Sequence, residues 1–155
     1  MEIQLWWIGK TSFPYLKEGV ADYQKRISHL CKFSIKEWDD VKVVKEAKVL
    51  AKLECDQWMK HIKQDDMVIL CDEHGQTQTS REFANFIELN LQSSFRRLIF
   101  IIGGAYGFSE EFKSKSHAKV SFSKLTFSHQ LFRLIFLEQL YRAFSIIKSI
   151  PYHHD

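Results

Sequence analysis

The chain alternates between two kinds of hydrophobic pattern. Short, almost unbroken apolar runs occur at residues 3–9 (IQLWWIG), 67–72 (MVILCD) and 96–102 (RRLIFII). Runs of that length predict strands buried on both faces. Residues 31–38 (CKFSIKEW) alternate apolar and polar, which predicts a half-buried edge strand, and 118–123 (AKVSFS) predicts a last short one. Between the runs the spacing turns helical. Leu16, Val20, Tyr23, Ile27 and Leu30 predict a helix over 13–30, and 41–62, with many Lys and Glu on one face, predicts a second.

The remaining helices are marked by their caps. HGQTQTS reads as a loop, and Ser80 is expected to cap a helix running to about Leu91. Ser109 is expected to cap a short helix from Glu110, whose two first-turn acids suit the helix dipole. Ser128 opens a long helix from His129 to Lys148. Strands and helices that alternate along the chain predict an α/β fold, a parallel sheet with helices on both faces. No linker, repeat or low-complexity segment interrupts the pattern, so one domain over 1–155 is expected.

The final helix breaks the rule that one stripe should be apolar. LFRLIFLEQLYRAFSII is apolar over most of its circumference, and its clean polar stripe is Glu138, Arg142, Ser145 and Ser149. A helix on one face of a sheet needs an apolar stripe only about 100° wide. The surplus predicts a homodimer with this helix in the interface, ahead of a central helix buried inside one subunit.

Composition changes this picture little. A 45% apolar fraction with 26% charged residues is that of a globular chain, and 13 Phe and four Trp point to a dense core or a buried interface. The net charge of +3 is mild. It is unevenly placed, however: from Lys113 onward seven Lys or Arg stand against Glu138 and Asp155. That excess suits an anionic partner or a solvated basic face. Cys31, Cys55 and Cys71 have no CxxC spacing, which argues against a disulfide framework or zinc ribbon and fits a reducing cytoplasm. There is no HExxH, no run of membrane-spanning length, and the opening MEIQLWWIGK is too short and too acidic for a signal peptide.

Three segments carry candidate chemistry. FIIGGAYG drops from a strand into Gly103, Gly104 and Gly107, but GxxxxGK[ST] is absent. Ser123 stands where a dinucleotide site would need an acid, so spacing alone gives a tight turn. SFSKLTFSHQLFR leads from a strand into a helix N-terminus, where backbone amides hold polar ligand groups readily. The tail SIPYHHD carries adjacent histidines, His153 and His154, a weak metal pair without further ligands.

Together, FIIGGAYG, SFSKLTFSHQLFR, LEQLYRAFSI and PYHHD resemble the signature set of the bacterial large-subunit rRNA methyltransferases that modify N3 of a pseudouridine, a compact branch of the SPOUT superfamily. LCDEHGQ (70–76) falls where that family has a strand end, an acid and a Gly. The resemblance implies a parallel sheet with a C-terminal trefoil knot, a homodimer, S-adenosylmethionine as methyl donor and no metal. Its implied substrate is the helix-69 loop of 23S rRNA in the assembled ribosome. The implied cofactor residues are Cys71, Gly103, Phe122, Ser123, Lys124, Leu125, Thr126 and Phe127, with Cys71 a small hydrophobe rather than a nucleophile. Arg142 and His153 are the candidates for assisting loss of the N3 proton. Tyr106 and His154 depart from the family pattern and receive no role. The competing readings are a knotted tRNA methyltransferase, disfavoured by the lack of an appended RNA-binding domain, and a non-catalytic ribosome-binding module. The intact 103–107 and 122–127 segments argue against the second.

Overall fold

The computed structural model describes residues 1–41 and 45–154. Its elements are β1 (Glu2–Ile8), α1 (Pro14–Ser28), β2 (Phe33–Trp38), α2 (Ala47–Met59), β3 (Asp66–Thr77), α3 (Ser80–Leu91), β4 (Arg97–Ile102), α4 (Glu110–Lys115), β5 (Ala118–Ser121) and α5 (His129–Ile147). The five strands form one sheet in the order β2-β1-β4-β3-β5, every pairing parallel. The strand and helix pattern of the sequence is therefore realised, with β2 at an edge. The start of the helix expected over 41–62 falls partly on 42–44, outside the described residues; within them it begins at Ala47.

Each face of the sheet has its own core. Ile3, Leu5, Leu98, Phe100 and Ile69 pack against α1, α3 and α5. Trp6, Ile8, Ile99, Ile101 and Leu70 face the other way, against Cys55 and Trp58 of α2 and Phe112 of α4. The alternation within β1 and β4 shows why their sequences are mostly apolar, with Gln4 the buried polar exception: both sides of the strand are covered.

α5 packs on the sheet between α1 and α3. Gly19 of α1 makes one of these contacts possible, since a Cβ there would stand 2.9 Å from a Leu134 methyl. Three neighbours account for most of the apolar circumference of α5, so the surplus inferred from the sequence is smaller than it looked. Leu131 is 38% exposed, and nearby Phe13 and Tyr15 are more so. Of the polar stripe only Ser149 is exposed to water. Ser145 is buried, while Glu138 and Arg142 are half-covered by the tail.

Two local expectations need correction. The 74–80 segment is not all loop: β3 continues to Thr77, with Gln76 and Thr77 pairing Val120 and Ser121. The cap of α3 is Thr79, not Ser80. Thr79 Oγ1 accepts from the Glu82 N–H, and the Glu82 carboxylate accepts from the Thr79 N–H, a reciprocal capping box. Ser80 instead donates to Gln139 of α5. Ser109 and Ser128 cap α4 and α5 as expected.

Candidate active site

Three chain segments meet at the carboxyl ends of β3, β4 and β5. The first is an excursion in β3. Cys71 and Gln76 both pair with Val120, so residues 72–75 loop out of the ladder. Asp72 shapes this loop by accepting from the His74 N–H at 2.9 Å, and its Oδ1 lies 3.2 Å from the His74 ring. Gly75 lets the strand return, because a Cβ there would lie 2.7 Å from the backbone carbon of Val120.

The second segment is the glycine turn after β4. The Gly107 N–H donates to the Gly104 carbonyl at 3.1 Å, and Gly107 has φ 69°, a left-handed conformation. Gly103 has close neighbours in Gly107 Cα and the Phe108 ring, each 3.2 Å from where a Cβ would stand. Gly104 backs onto α2, where a Cβ would overlap the buried Glu54 carboxylate. Burial pushes the pKa of Glu54 up, with nearby Asp40 adding to the shift. Cys55 accepts from the Ser109 N–H at 3.4 Å, so α2 braces this turn from behind.

The third segment, 122–127, leaves β5 sooner than expected, since the strand ends at Ser121. Ser121 Oγ donates to the Ser123 carbonyl and Ser123 Oγ accepts from the Leu125 N–H, which curls the run. Phe122 is edge-on to Phe83 and Phe132, and Phe127 stacks on Phe132. Thr126 Oγ1 donates to Glu73 at 3.1 Å and ties this wall to the β3 excursion.

The three segments enclose a cavity of about 620 Å³. Cys71, Gly103, Phe122, Ser123, Leu125, Thr126 and Phe127 all line it; Lys124 is exposed and does not. Burial pushes the Cys71 thiol far above its ordinary range, with adjacent Asp72 adding to it, so this sulfur is a neutral wall atom. The cavity also takes in side chains that the sequence reading did not select, notably Asp72, Glu73, Lys113 and His129, together with Tyr106. The first of these signals was present in LCDEHGQ, where polar residues directly follow a buried strand.

Arg142 and His153 come together, but not at this cavity. Arg142 Nη1 lies 3.3 Å from His153 Nδ1, and Arg142 Nε donates to Glu138 at 3.0 Å. The guanidinium also covers the Tyr152 ring at 4.8 Å. The Tyr152 hydroxyl donates to Glu138 Oε1 and lies 3.1 Å from the Tyr23 hydroxyl. The tail is thus held on α1 and α5 by one polar network. It is preceded by a left-handed Ser149 at φ 53°, where the Ile150 N–H returns to the Ser145 carbonyl and the Ser149 N–H to Ile146. His154 is exposed, and Asp155 lies outside the described residues. Among the described residues no group of three or more His, Cys, Asp or Glu side chains is arranged to hold a metal ion. Among the described residues no helix is long and apolar enough to cross a membrane.

Residues 1–153 match the family model described as "Predicted SPOUT methyltransferase". A Cytophaga hutchinsonii protein named "Ribosomal RNA large subunit methyltransferase H" is 46% identical over 99% of this chain and all of its own length. A protein of the same name from Parabacteroides distasonis is 40% identical over the full length of both. Among solved structures, a probable methylase family protein from Haemophilus influenzae shares the fold. Its TM-score is 0.55 at 11% identity, over 99% of this chain and 70% of that one.

Proposed function

This chain belongs to the SPOUT methyltransferase family, and on that premise we propose that it methylates N3 of the pseudouridine in the helix-69 loop of 23S rRNA. The reading has a single SPOUT domain over 1–155, acting in the cytoplasm on the assembled ribosome as a homodimer, with S-adenosylmethionine as donor. What carries it is the convergence of Cys71, Gly103 and 122–127 on one cavity in a chain similar, end to end, to proteins named for rRNA methylation.

The residues present fit that donor. A cavity of about 620 Å³ is of a size for a small-molecule ligand. Phe122, Leu125 and Phe127 offer apolar surface to a purine, and the curled 122–127 backbone offers amides and carbonyls to its edge. Asp72 and Glu73 suit a sulfonium and an ammonium, and Lys113 suits a carboxylate. When bound, the donor supplies an already activated methyl group. The protein's part is alignment, in which placing N3 in line with that methyl supplies much of the rate. Arg142, with His153 against it, stabilises the negative charge that develops on the base as N3 loses its proton. Because the pair does not line the cavity of its own chain, a homodimer through α5 offers a route for it to reach the cavity of the partner subunit.

The trefoil knot is part of the same reading, supported by the family and by β5 lying outside β3 at the sheet edge. An experimental main-chain trace that reduces to an unknotted line would remove it. The function is tested by transfer of labelled methyl from S-adenosylmethionine to ribosomes, free rRNA and tRNA. Labelling of ribosomes is expected; labelling of tRNA alone would overturn the substrate, and no labelling would favour a binding module. Arg142→Ala and deletion of 152–155 are each expected to lower transfer while cofactor binding is largely kept.

A further inference from the structure

We propose that His129 is the base that accepts the N3 proton of the target nucleotide. The inference rests on the reading of the cavity as a methyl-transfer site, and it names a group that reading leaves open. His129 is the first residue of α5 and lines the cavity together with Ser128 and Phe132, directly after the 122–127 wall. The other basic or acidic side chains on the cavity are engaged. Asp72 and His74 hold each other, Glu73 accepts from Thr126, and Lys113 donates to Glu110 at 2.9 Å. Among the described residues no hydrogen bond occupies the His129 ring.

The surroundings favour the neutral ring. Partial burial holds the His129 pKa below the ordinary histidine range, and buried Arg133, one turn along α5, pushes the same way. The positive end of α5 adds to this. Asp40, beyond β2, pulls in the opposite direction and is outweighed. Across the cavity the facing charged and titratable groups are Cys71, Asp72, Glu73 and His74 of β3, Tyr106 of the glycine turn and Lys113 of α4. A neutral imidazole beside the bound base is a proton acceptor, whereas an imidazolium is not.

The step balances as follows. The N3–H bond breaks, its electron pair stays on N3 and the proton goes to an imidazole nitrogen. N3 forms the bond to the methyl carbon as the methyl–sulfur bond breaks, its pair remaining on sulfur to leave a neutral thioether. The imidazolium then passes its proton to water, which reaches His129 because the residue is exposed.

The test compares wild type, His129→Gln and His74→Gln in single-turnover methyl transfer to ribosomes across the histidine titration range. Cofactor affinity by calorimetry and the His129 ring titration by NMR are measured alongside. The wild-type rate is expected to rise with pH through the midpoint that NMR assigns to His129. His129→Gln is expected to slow transfer on the order of 100-fold and to abolish that midpoint, with cofactor affinity retained. Near-wild-type transfer by His129→Gln, an unchanged midpoint in that variant, or loss of the midpoint in His74→Gln would overturn the assignment. If the wild-type protein itself fails to label ribosomes, it is the reading of the site that falls.

Discussion

The two ends of the sheet are built on opposite principles. Where the strands begin, charges are buried and matched. Asp66 opens β3 directly opposite Arg97, which opens β4. Asp66 is 1% exposed and accepts from Arg97 Nε at 2.6 Å and from the Lys63 N–H at 2.6 Å. Arg97 also donates to the His61 carbonyl at 3.0 Å. Where the strands end, β3 loops out of its ladder, glycines replace side chains, and a cavity is left open. One end spends its polar groups on each other and fixes the sheet. The other keeps backbone and side chains available to a ligand, as expected at the carboxyl ends of parallel strands.

The sharpest way to break this contrast is Asp66→Ala, which leaves Arg97 without its carboxylate. The expected loss is about 3–5 kcal/mol in urea denaturation, with cofactor affinity of the folded protein unchanged. A fall in affinity at near-normal stability would mean that the two ends are not separate. The pH dependence sharpens the same point. Burial alone would raise the Asp66 pKa, but hydrogen bonds from Arg97 and Lys63 outweigh it and hold it below 3.8. The stability it contributes is therefore complete above that value and is lost as pH falls through the lower folded pKa. The gap in thermal stability between wild type and Asp66→Asn is expected to stay constant from neutral pH down to about pH 5 and to narrow only below about pH 4.

Gly75→Ala tests the other end. Its Cβ would press on the Val120 and Lys119 backbone, which cannot yield as a side-chain tip would. The expected cost is about 1–3 kcal/mol by chemical denaturation. Because the clash parts β3 from β5, cofactor affinity should fall about tenfold as well, seen by calorimetry. Ser149→Gly is expected to raise stability by about 1 kcal/mol, since glycine removes the left-handed strain at the end of α5. Glu73→Ala gives the smallest change. Loss of an exposed bond to Thr126 should alter stability by about 0.5 kcal/mol or less, and binding should weaken by a few-fold.

The legible parts of this molecule were those governed by local rules. The strand cores Leu98–Ile102 and Met67–Leu70 declared themselves because burial on two faces leaves no polar position. The caps Ser109 and Ser128 were equally local. Thr79 was missed in favour of Ser80 although Glu82, three residues on, marks Thr79 as the capping-box residue. The continuation of β3 through Gln76 was hidden because its partner, Val120, lies far along the chain and the intervening Asp72–Gly75 reads as a turn. The residues of the cavity followed from family resemblance, not from periodicity. Its closure by Glu73 and Thr126, its bracing by Glu54 and the neutral setting of His129 depend on contacts between distant segments. The cover over Glu138 and Arg142 of α5 was hidden for the same reason, since the tail that provides it is brought there by tertiary structure.

The strand order also sets a schedule. β1 is apolar on both faces and must pair with β4 along one edge, from Glu2 opposite Arg97 to Trp6 opposite Ile101. During synthesis that edge stays without its neighbour until β4 has emerged, on the order of ten seconds at ordinary elongation rates. For that interval the nascent chain carries a Trp-rich strand with one unpaired border, the kind of surface that recruits chaperones or other unfolded chains. The interior position of β1, between β2 and β4 in the finished sheet, thus leaves the growing chain with an unpaired apolar border until β4 is made.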